Sequence, residues 1–287
     1  MSKLQKPTLL DVRNLTVRFD QPVHGFFAIQ DVCFNMQFGE TLALVGESGS
    51  GKTMTALALL NLLPKRARLL SGEIKFMEKR VAEKGDFSFE QLRGKHIAMI
   101  FQEAQAALNP VFHVGTQMTD VIQTHLKLPV KAAKYRAIEL LENVGFTNPN
   151  LVFRSYPHQL SGGMAQRVMI ATALSCTPQL IIADEPTTAV DVTTQNQLLN
   201  LIKDLQREHH FALLLISHDM GVVTALADSI IVMKAGKIIE RGETTHLLAH
   251  ARHPYTRALI NSIFQLPVGT DEGGYKNVRP KGILRNY

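Results

Sequence analysis

A short apolar run, Thr41–Val45 (TLALV), leads directly into GESGSGKT at 46–53 and then into MTALALLNLL. Strand, glycine-bearing loop and helix in that order supply the context that the phosphate-loop pattern G-x-x-x-x-G-K-[ST] requires. Gly46, Gly49 and Gly51 let the backbone wrap phosphates, with Glu47, Ser48 and Ser50 completing the turn. Lys52 reaches the β and γ oxygens, and the Thr53 hydroxyl suits Mg²⁺. Few architectures accept such a segment, because it needs a buried strand that ends at a ligand edge and a helix packed behind it. Pro64 is expected to stop that helix, having no N–H to continue the ladder.

Two further runs, Leu180–Ala183 and Leu213–Ile216, share the texture of Leu42–Val45, continuous and apolar, and read as strands buried on both faces of a parallel sheet. Each is followed by polar residues where open α/β sheets place their ligands. The N-terminal region differs. Val32, Phe34, Met36 and Phe38 alternate with polar or small residues, as do Leu15, Val17 and Phe19 upstream, which predicts a half-buried antiparallel element. From Glu103 to Pro157 the pattern turns helical, with a helix predicted over Lys131–Val144 and ended by Gly145. A second helix, Val192 to about Glu208, presents Leu198, Leu199, Ile202 and Leu205 on one face and links two of the buried strands. Such crossovers are right-handed and bring both strand ends to one edge.

The 287 residues, 45 % hydrophobic, suit one large domain with an inserted subdomain. The net charge of +6 comes without a long basic run, so no nucleic-acid footprint is predicted. Cys33 and Cys176 alone support neither a disulfide framework nor a thiolate metal site. The N-terminus lacks the apolar core of a secretory signal, and no apolar stretch approaches a membrane span. Any membrane role therefore requires a spanning partner.

A second anion-binding device lies more than 100 residues downstream. In LSGGMAQR at 160–167, Ser161, Gly162 and Gly163 open a helical stretch whose backbone N–H groups are free of side-chain bulk. Asp184 and Glu185 end LIIAD, where adjacent carboxylates can divide labour, Asp184 toward Mg²⁺ and Glu185 toward an attacking water. His218 ends the FALLLIS run and is expected beside Glu185 on the same sheet edge, within reach of a γ-phosphate. Gln102, after His96–Phe101, offers an amide oxygen to Mg²⁺ or water.

Together these pieces resemble the ATP-binding subunits of ABC transporters, over about 9–266. The matching parts are the Walker A loop GESGSGKT, the Q-loop at Gln102, the signature LSGGMAQR, the Walker B stretch LIIADE, the D-loop TAVD ending at Asp191, and the switch histidine His218. The resemblance implies an α/β fold, a RecA-like P-loop NTPase core with a mainly parallel sheet, an N-terminal antiparallel β subdomain and an inserted helical subdomain at about 103–165. It implies a domain over 1–268, a short tail at 269–287, and ATP with Mg²⁺ as ligands. In the family's head-to-tail dimer the signature of one subunit closes over ATP held by the Walker A loop of the other, so the two phosphate devices serve different sites. Met164 and TAVD depart from the commoner Gln and SALD without removing a charged or metal-binding group. An upstream aromatic stacks on adenine in this family; Phe19 is the candidate, with Phe26 and Phe27 as alternatives.

IFQEAQAALNP at 100–110, ADEPTTAVDVTTQ at 183–195, SHDMGVV at 217–223 and HPYTRALINS at 253–262 resemble the branch that imports oligopeptides, dipeptides and nickel in bacteria and archaea. What this implies is an ATPase coupled to uptake, peripheral on the cytoplasmic face of the inner membrane. Its partners are two transmembrane permease subunits, a second ATP-binding subunit, identical or related with a heterodimer favoured, and indirectly an extracytoplasmic solute-binding protein. Residues 103–118 are expected to receive short permease helices. Peptide is the favoured cargo and nickel or a metal chelate the alternative, since the chain lacks the Cys-bearing tail frequent in peptide importers. A non-transport ABC ATPase, a P-loop kinase or GTPase, and a catalytically dead regulatory subunit fit less well, for want of a coiled-coil insertion, an N-K-x-D motif, or a missing Glu185 or His218.

Overall fold

The computed structural model describes residues 7–20, 25–82, 86–188 and 190–264. In chain order the first elements are β1 (Thr8–Phe19), β2 (Phe26–Gln37), β3 (Thr41–Val45), α1 (Lys52–Leu59), β4 (Ala67–Phe76), β5 (Lys79–Arg80), α2 (Phe89–Leu92) and β6 (Ile97–Ile100). Helices α3 (Ala104–Ala107), α4 (Val114–Leu126), α5 (Val130–Asn143), α6 (Pro149–Arg154) and α7 (Gly162–Leu174) follow, with a 3-10 turn at Pro157–Gln159. The rest comprises β7 (Leu180–Asp184), α8 (Val192–His209), β8 (Ala212–Ser217), α9 (Met220–Leu226), β9 (Ser229–Lys234), β10 (Lys237–Glu243), α10 (Thr244–His250) and α11 (Pro254–Phe264). The expected tail at 269–287 lies outside the described residues.

Two sheets form. One has four strands in the order β2-β1-β4-β5 and is antiparallel throughout; the other has six in the order β10-β9-β3-β8-β7-β6. In the larger sheet only β10 runs antiparallel, against β9. β3, β7 and β8 are buried at every residue, as their unbroken apolar character requires of strands covered on both faces. Successive side chains on them alternate between two hydrophobic clusters. Ala43, Val45, Ile181, Ala183, Leu213 and Leu215 join the helices from α4 to α9, whereas Leu42, Leu44, Leu180, Ile182, Leu214 and Ile216 join α1 and the antiparallel sheet. The period of two along each strand divides the core into these layers.

Helix ends follow local chemistry. α1 stops at Leu59, five residues before Pro64, so the expected role of that proline is corrected. Asn61 turns left-handed at φ 50°, and the N–H groups of Asn61 and Leu62 bond back to the carbonyls of Ala58 and Leu57, closing the helix before proline is reached. α5 ends the same way: Gly145 sits at φ 86°, and the Gly145 and Phe146 N–H groups return to Glu142 and Leu141. On α8, Leu198, Leu199, Ile202 and Leu205 are all buried, matching the face read from their spacing.

Candidate functional site

Both ends of the phosphate loop are fixed by close packing. Gly46 is at φ 150°, and a Cβ there would lie 2.2 Å from the Met233 carbonyl oxygen; at Gly51, φ 105°, it would lie 2.7 Å from that of Ala28. Only glycine fits either place. Between them the Ser50 N–H bonds to the Glu47 carbonyl, the Gly236 N–H to the Ser50 carbonyl, and the Tyr255 hydroxyl accepts the Glu47 N–H at 2.8 Å. The N–H groups of Ser48, Gly49, Gly51, Lys52 and Thr53 have no acceptor among the described residues. This run of donors at the start of α1 is an anion seat.

Lys52 lies inside the loop, 5 % exposed, its Nζ donating to the carbonyls of Gly46 at 2.8 Å and Glu47 at 2.9 Å. Burial lowers its pKa, opposed by the charges of Glu185 and Asp184. A buried ammonium held by carbonyls and lacking a paired carboxylate is stabilised by phosphate oxygens, which restore the missing counter-charge. Thr53 Oγ1 donates to Asp184 Oδ1 at 3.2 Å. Burial raises the pKa of Asp184 and the Thr53 bond counters it. A hydroxyl and a desolvated carboxylate so placed are hard oxygen donors of the kind that hold Mg²⁺ together with phosphates and water. No group of three or more His, Cys, Asp and Glu suited to a metal exists among the described residues, so a dedicated all-protein metal cage is not what these residues offer.

Glu185 follows directly, at the left-handed φ of 46° and with its N–H bonded to the Ile216 carbonyl. Such a backbone is strained for a glutamate and persists where its surroundings impose it. The turn aims the carboxylate into a cluster: Oε1 meets His218 Nδ1 at 2.8 Å, and Oε2 accepts from Gln102 Nε2 at 3.0 Å and Thr188 Oγ1 at 3.0 Å. β6, β7 and β8 are parallel neighbours, so their C-terminal ends deliver Gln102, Glu185 and His218 to one edge. The sequence placed His218 beside Glu185; Thr188 was not foreseen, and its place within TAVD was the available signal. Gln102 is turned toward Glu185 through its amide nitrogen, leaving the oxygen for other ligands.

Ser161, Gly162 and Gly163 stand apart. Ser161 caps α7, its Oγ accepting the Met164 N–H at 3.3 Å, and both Ser161 and Gly162 are exposed. Gly163 packs against the first turn of α8, where an added Cβ would lie 2.8 Å from Thr194 Cγ2. Asp191 caps α8 by accepting from Thr194 N at 3.0 Å and Oγ1 at 2.7 Å, bonds that lower its pKa. Among the described residues no hydrogen bond joins the 46–53 loop to 161–163. The aromatic candidates are also sorted: Phe19 and Phe26 pair across β1 and β2 and stack at 5.2 Å and 13°, while Phe27, opposite Arg18, points to the other face.

Residues 29–188 match the family model described as ABC transporter. The chain is 46 % identical over 257 residues to the oligopeptide transport ATP-binding protein AppD of Bacillus subtilis (strain 168), covering 89 % of this chain and 78 % of that protein. It is 45 % identical over 265 residues to the oligopeptide transport ATP-binding protein OppD of the same organism, covering 92 % and 74 %. Among solved structures it is similar to the dimeric post-hydrolysis state of the ATP-binding cassette MJ0796 bound to ADP and Pi, with a TM-score of 0.72 and 25 % identity over 82 % of this chain and 99 % of that one. With phosphate loop, paired carboxylates and signature helix arranged as described, this chain belongs to the ABC transporter family.

Proposed function

We propose that the chain is the ATP-binding subunit of an importer and hydrolyses ATP in a head-to-tail dimer to power uptake of peptides across the cytoplasmic membrane. The observation that carries this reading is the hydrogen-bonded set Gln102–Glu185–His218, on the sheet edge where the Lys52 loop and Asp184 also lie. The similarity to oligopeptide transport proteins supports peptide as the cargo. No helix among the described residues is long and apolar enough to cross a membrane.

In the proposed reaction the loop N–H groups and Lys52 hold the β- and γ-phosphates of ATP. Thr53 and Asp184 are the residues that would hold Mg²⁺, which when bound supplies positive charge to the phosphate oxygens. Glu185 takes a proton from a water as its oxygen attacks the γ-phosphorus and the bond to the bridging β–γ oxygen breaks, giving ADP and phosphate. His218 orients the Glu185 carboxylate and contacts the γ-phosphate. Gln102 connects this cluster to the helical region, which we assign to about 103–165 as an inserted subdomain of a domain spanning 1–268. An apolar cleft of about 270 Å³ lined by Leu62, Phe101, Leu108 and Met169, with Val111 and Phe112 exposed in the next loop, supports 103–118 and their neighbours as the seat of permease helices. Ser161, Gly162, Gly163 and Asp191 complete the ATP site of the facing subunit, identical or related. Two permease subunits and, indirectly, an extracytoplasmic solute-binding protein complete the machine, which places this chain peripherally at the inner membrane.

Deleting this chain from its host and measuring uptake of labelled di- and oligopeptides alongside nickel tests the cargo. Peptide uptake is expected to be lost while nickel uptake persists; the reverse pattern identifies a metal importer.

For the base, Phe19 is the proposed platform, with Phe26 stacked on it. Phe19→Ala removes this ring and the support for Phe26, so the Kd for ATP should rise about tenfold, as expected for a lost stacking contact. Phe27→Ala, on the opposite face, should leave it unchanged. A strong loss at Phe27 with none at Phe19 moves the adenine to the other side of the sheet.

A further inference from the structure

The segment HPYTRALINS is used by no step of the mechanism above, yet it touches the phosphate loop. We infer that Tyr255, on α11, is a positioning residue that preorganises the first turn of the loop for ATP. Its hydroxyl accepts the Glu47 N–H at 2.8 Å, while the Glu47 carbonyl is held by Lys52 Nζ at 2.9 Å. The two bonds fix both peptide groups of Glu47. When Lys52 turns to phosphate oxygens the Glu47 carbonyl keeps only the Ser50 N–H, at 3.1 Å, and the Tyr255 bond still holds the other side. Glu47 is the one residue at 47–49 whose N–H is committed to the protein, so Tyr255 sets the turn from which the neighbouring donors face the phosphates.

Tyr255 is itself held from several directions. It is 9 % exposed and packs in the core with the strands and with α9, and Lys234 Nζ lies 4.6 Å from its ring centroid. Its N–H donates to His253 Nδ1 at 3.1 Å, and the Glu240 carboxylate accepts the N–H groups of Arg252 at 2.7 Å and His253 at 3.2 Å. Pro254 then begins α11 with its φ already suited to a helix. β10, the turn before α11 and the helix itself thus aim one hydroxyl at one loop amide. A core-filling aromatic needs no such aim, and phenylalanine would fill the same space.

This inference rests on the assignment of the 46–53 loop to ATP. Tyr255→Phe keeps the ring, its packing and the Lys234 contact, and deletes only the acceptor. In the full chain with ATP and Mg²⁺, the Kd for ATP, and the KM of hydrolysis, are expected to rise about five- to tenfold with kcat unchanged. The melting temperature without nucleotide should stay within about 2 °C of wild type. The amides of Glu47 and Ser50 should exchange hydrogen faster. Unchanged ATP affinity in Tyr255→Phe, with or without a fall in melting temperature, overturns the inference while the wild-type chain binds ATP. Failure of the wild-type chain to bind ATP overturns the functional reading and this inference together.

Discussion

Glu185→Gln is expected to leave ATP binding intact and to lower steady-state ATPase by about 10²- to 10⁴-fold, the usual weight of a general base. The substitution preserves shape and most of the hydrogen bonding, because Gln102, Thr188 and His218 still find partners on an amide of the same size. What disappears is a negative charge able to take a proton from water. With hydrolysis stopped and both phosphate seats filled, the proposed dimer is expected to stay closed. Incubation with ATP and Mg²⁺ should therefore shift the variant stably to dimer on size exclusion, and wild type only transiently. Undiminished turnover in this variant would remove Glu185 from the mechanism. The left-handed backbone at Glu185 adds an independent check, since glycine there relieves strain but supplies no carboxylate, and should be equally inactive with a melting temperature no lower than that of Glu185→Gln.

Ser161→Arg is expected to abolish hydrolysis while the isolated chain binds ATP as wild type does. Ser161 is an exposed helix cap with no hydrogen bond to the chain's own phosphate loop among the described residues, so in the proposed head-to-tail dimer a bulky cation there damages the neighbour's pocket and not its own. Losing the cap costs about 1 kcal/mol, lowering the melting temperature by about 2–4 °C, too little to unfold a domain of this size. Ser161→Gly, which removes the hydroxyl but retains most of the capping preference, separates the two effects and should keep the stability. A sharp fall in ATP affinity of the isolated Ser161→Arg chain would show that 161–163 act within one subunit.

Much of the fold was readable because its strongest constraints are local. Unbroken apolar runs at Leu42–Val45, Leu180–Ala183 and Leu213–Ile216 can be satisfied only by strands covered on both faces, and the structure buries each of them. The end of α1 was misread because two stop signals compete: proline is conspicuous, but Asn61 acts first by adopting a conformation that asparagine reaches at low cost. Thr188 and Tyr255 were not recognised as parts of the site. One is a common polar residue in a turn, the other an aromatic at helical spacing, and neither residue type nor spacing reveals where a hydroxyl points.

By itself the sequence determined the phosphate loop, the acidic pair at the C-terminal end of β7 and the capped start of α7, since each depends on neighbours within a few residues. Contacts between distant segments belonged to the tertiary structure alone. Parallel pairing of β6, β7 and β8 brings Gln102, Glu185 and His218 into one cluster, the pairing of β1 with β2 puts Phe26 over Phe19 and Phe27 behind the sheet, and α11 carries Tyr255 back to Glu47 across 208 positions of sequence. A hydrogen bond is decided within a few tenths of an ångström, and only the packed core fixes strands and helices to that tolerance.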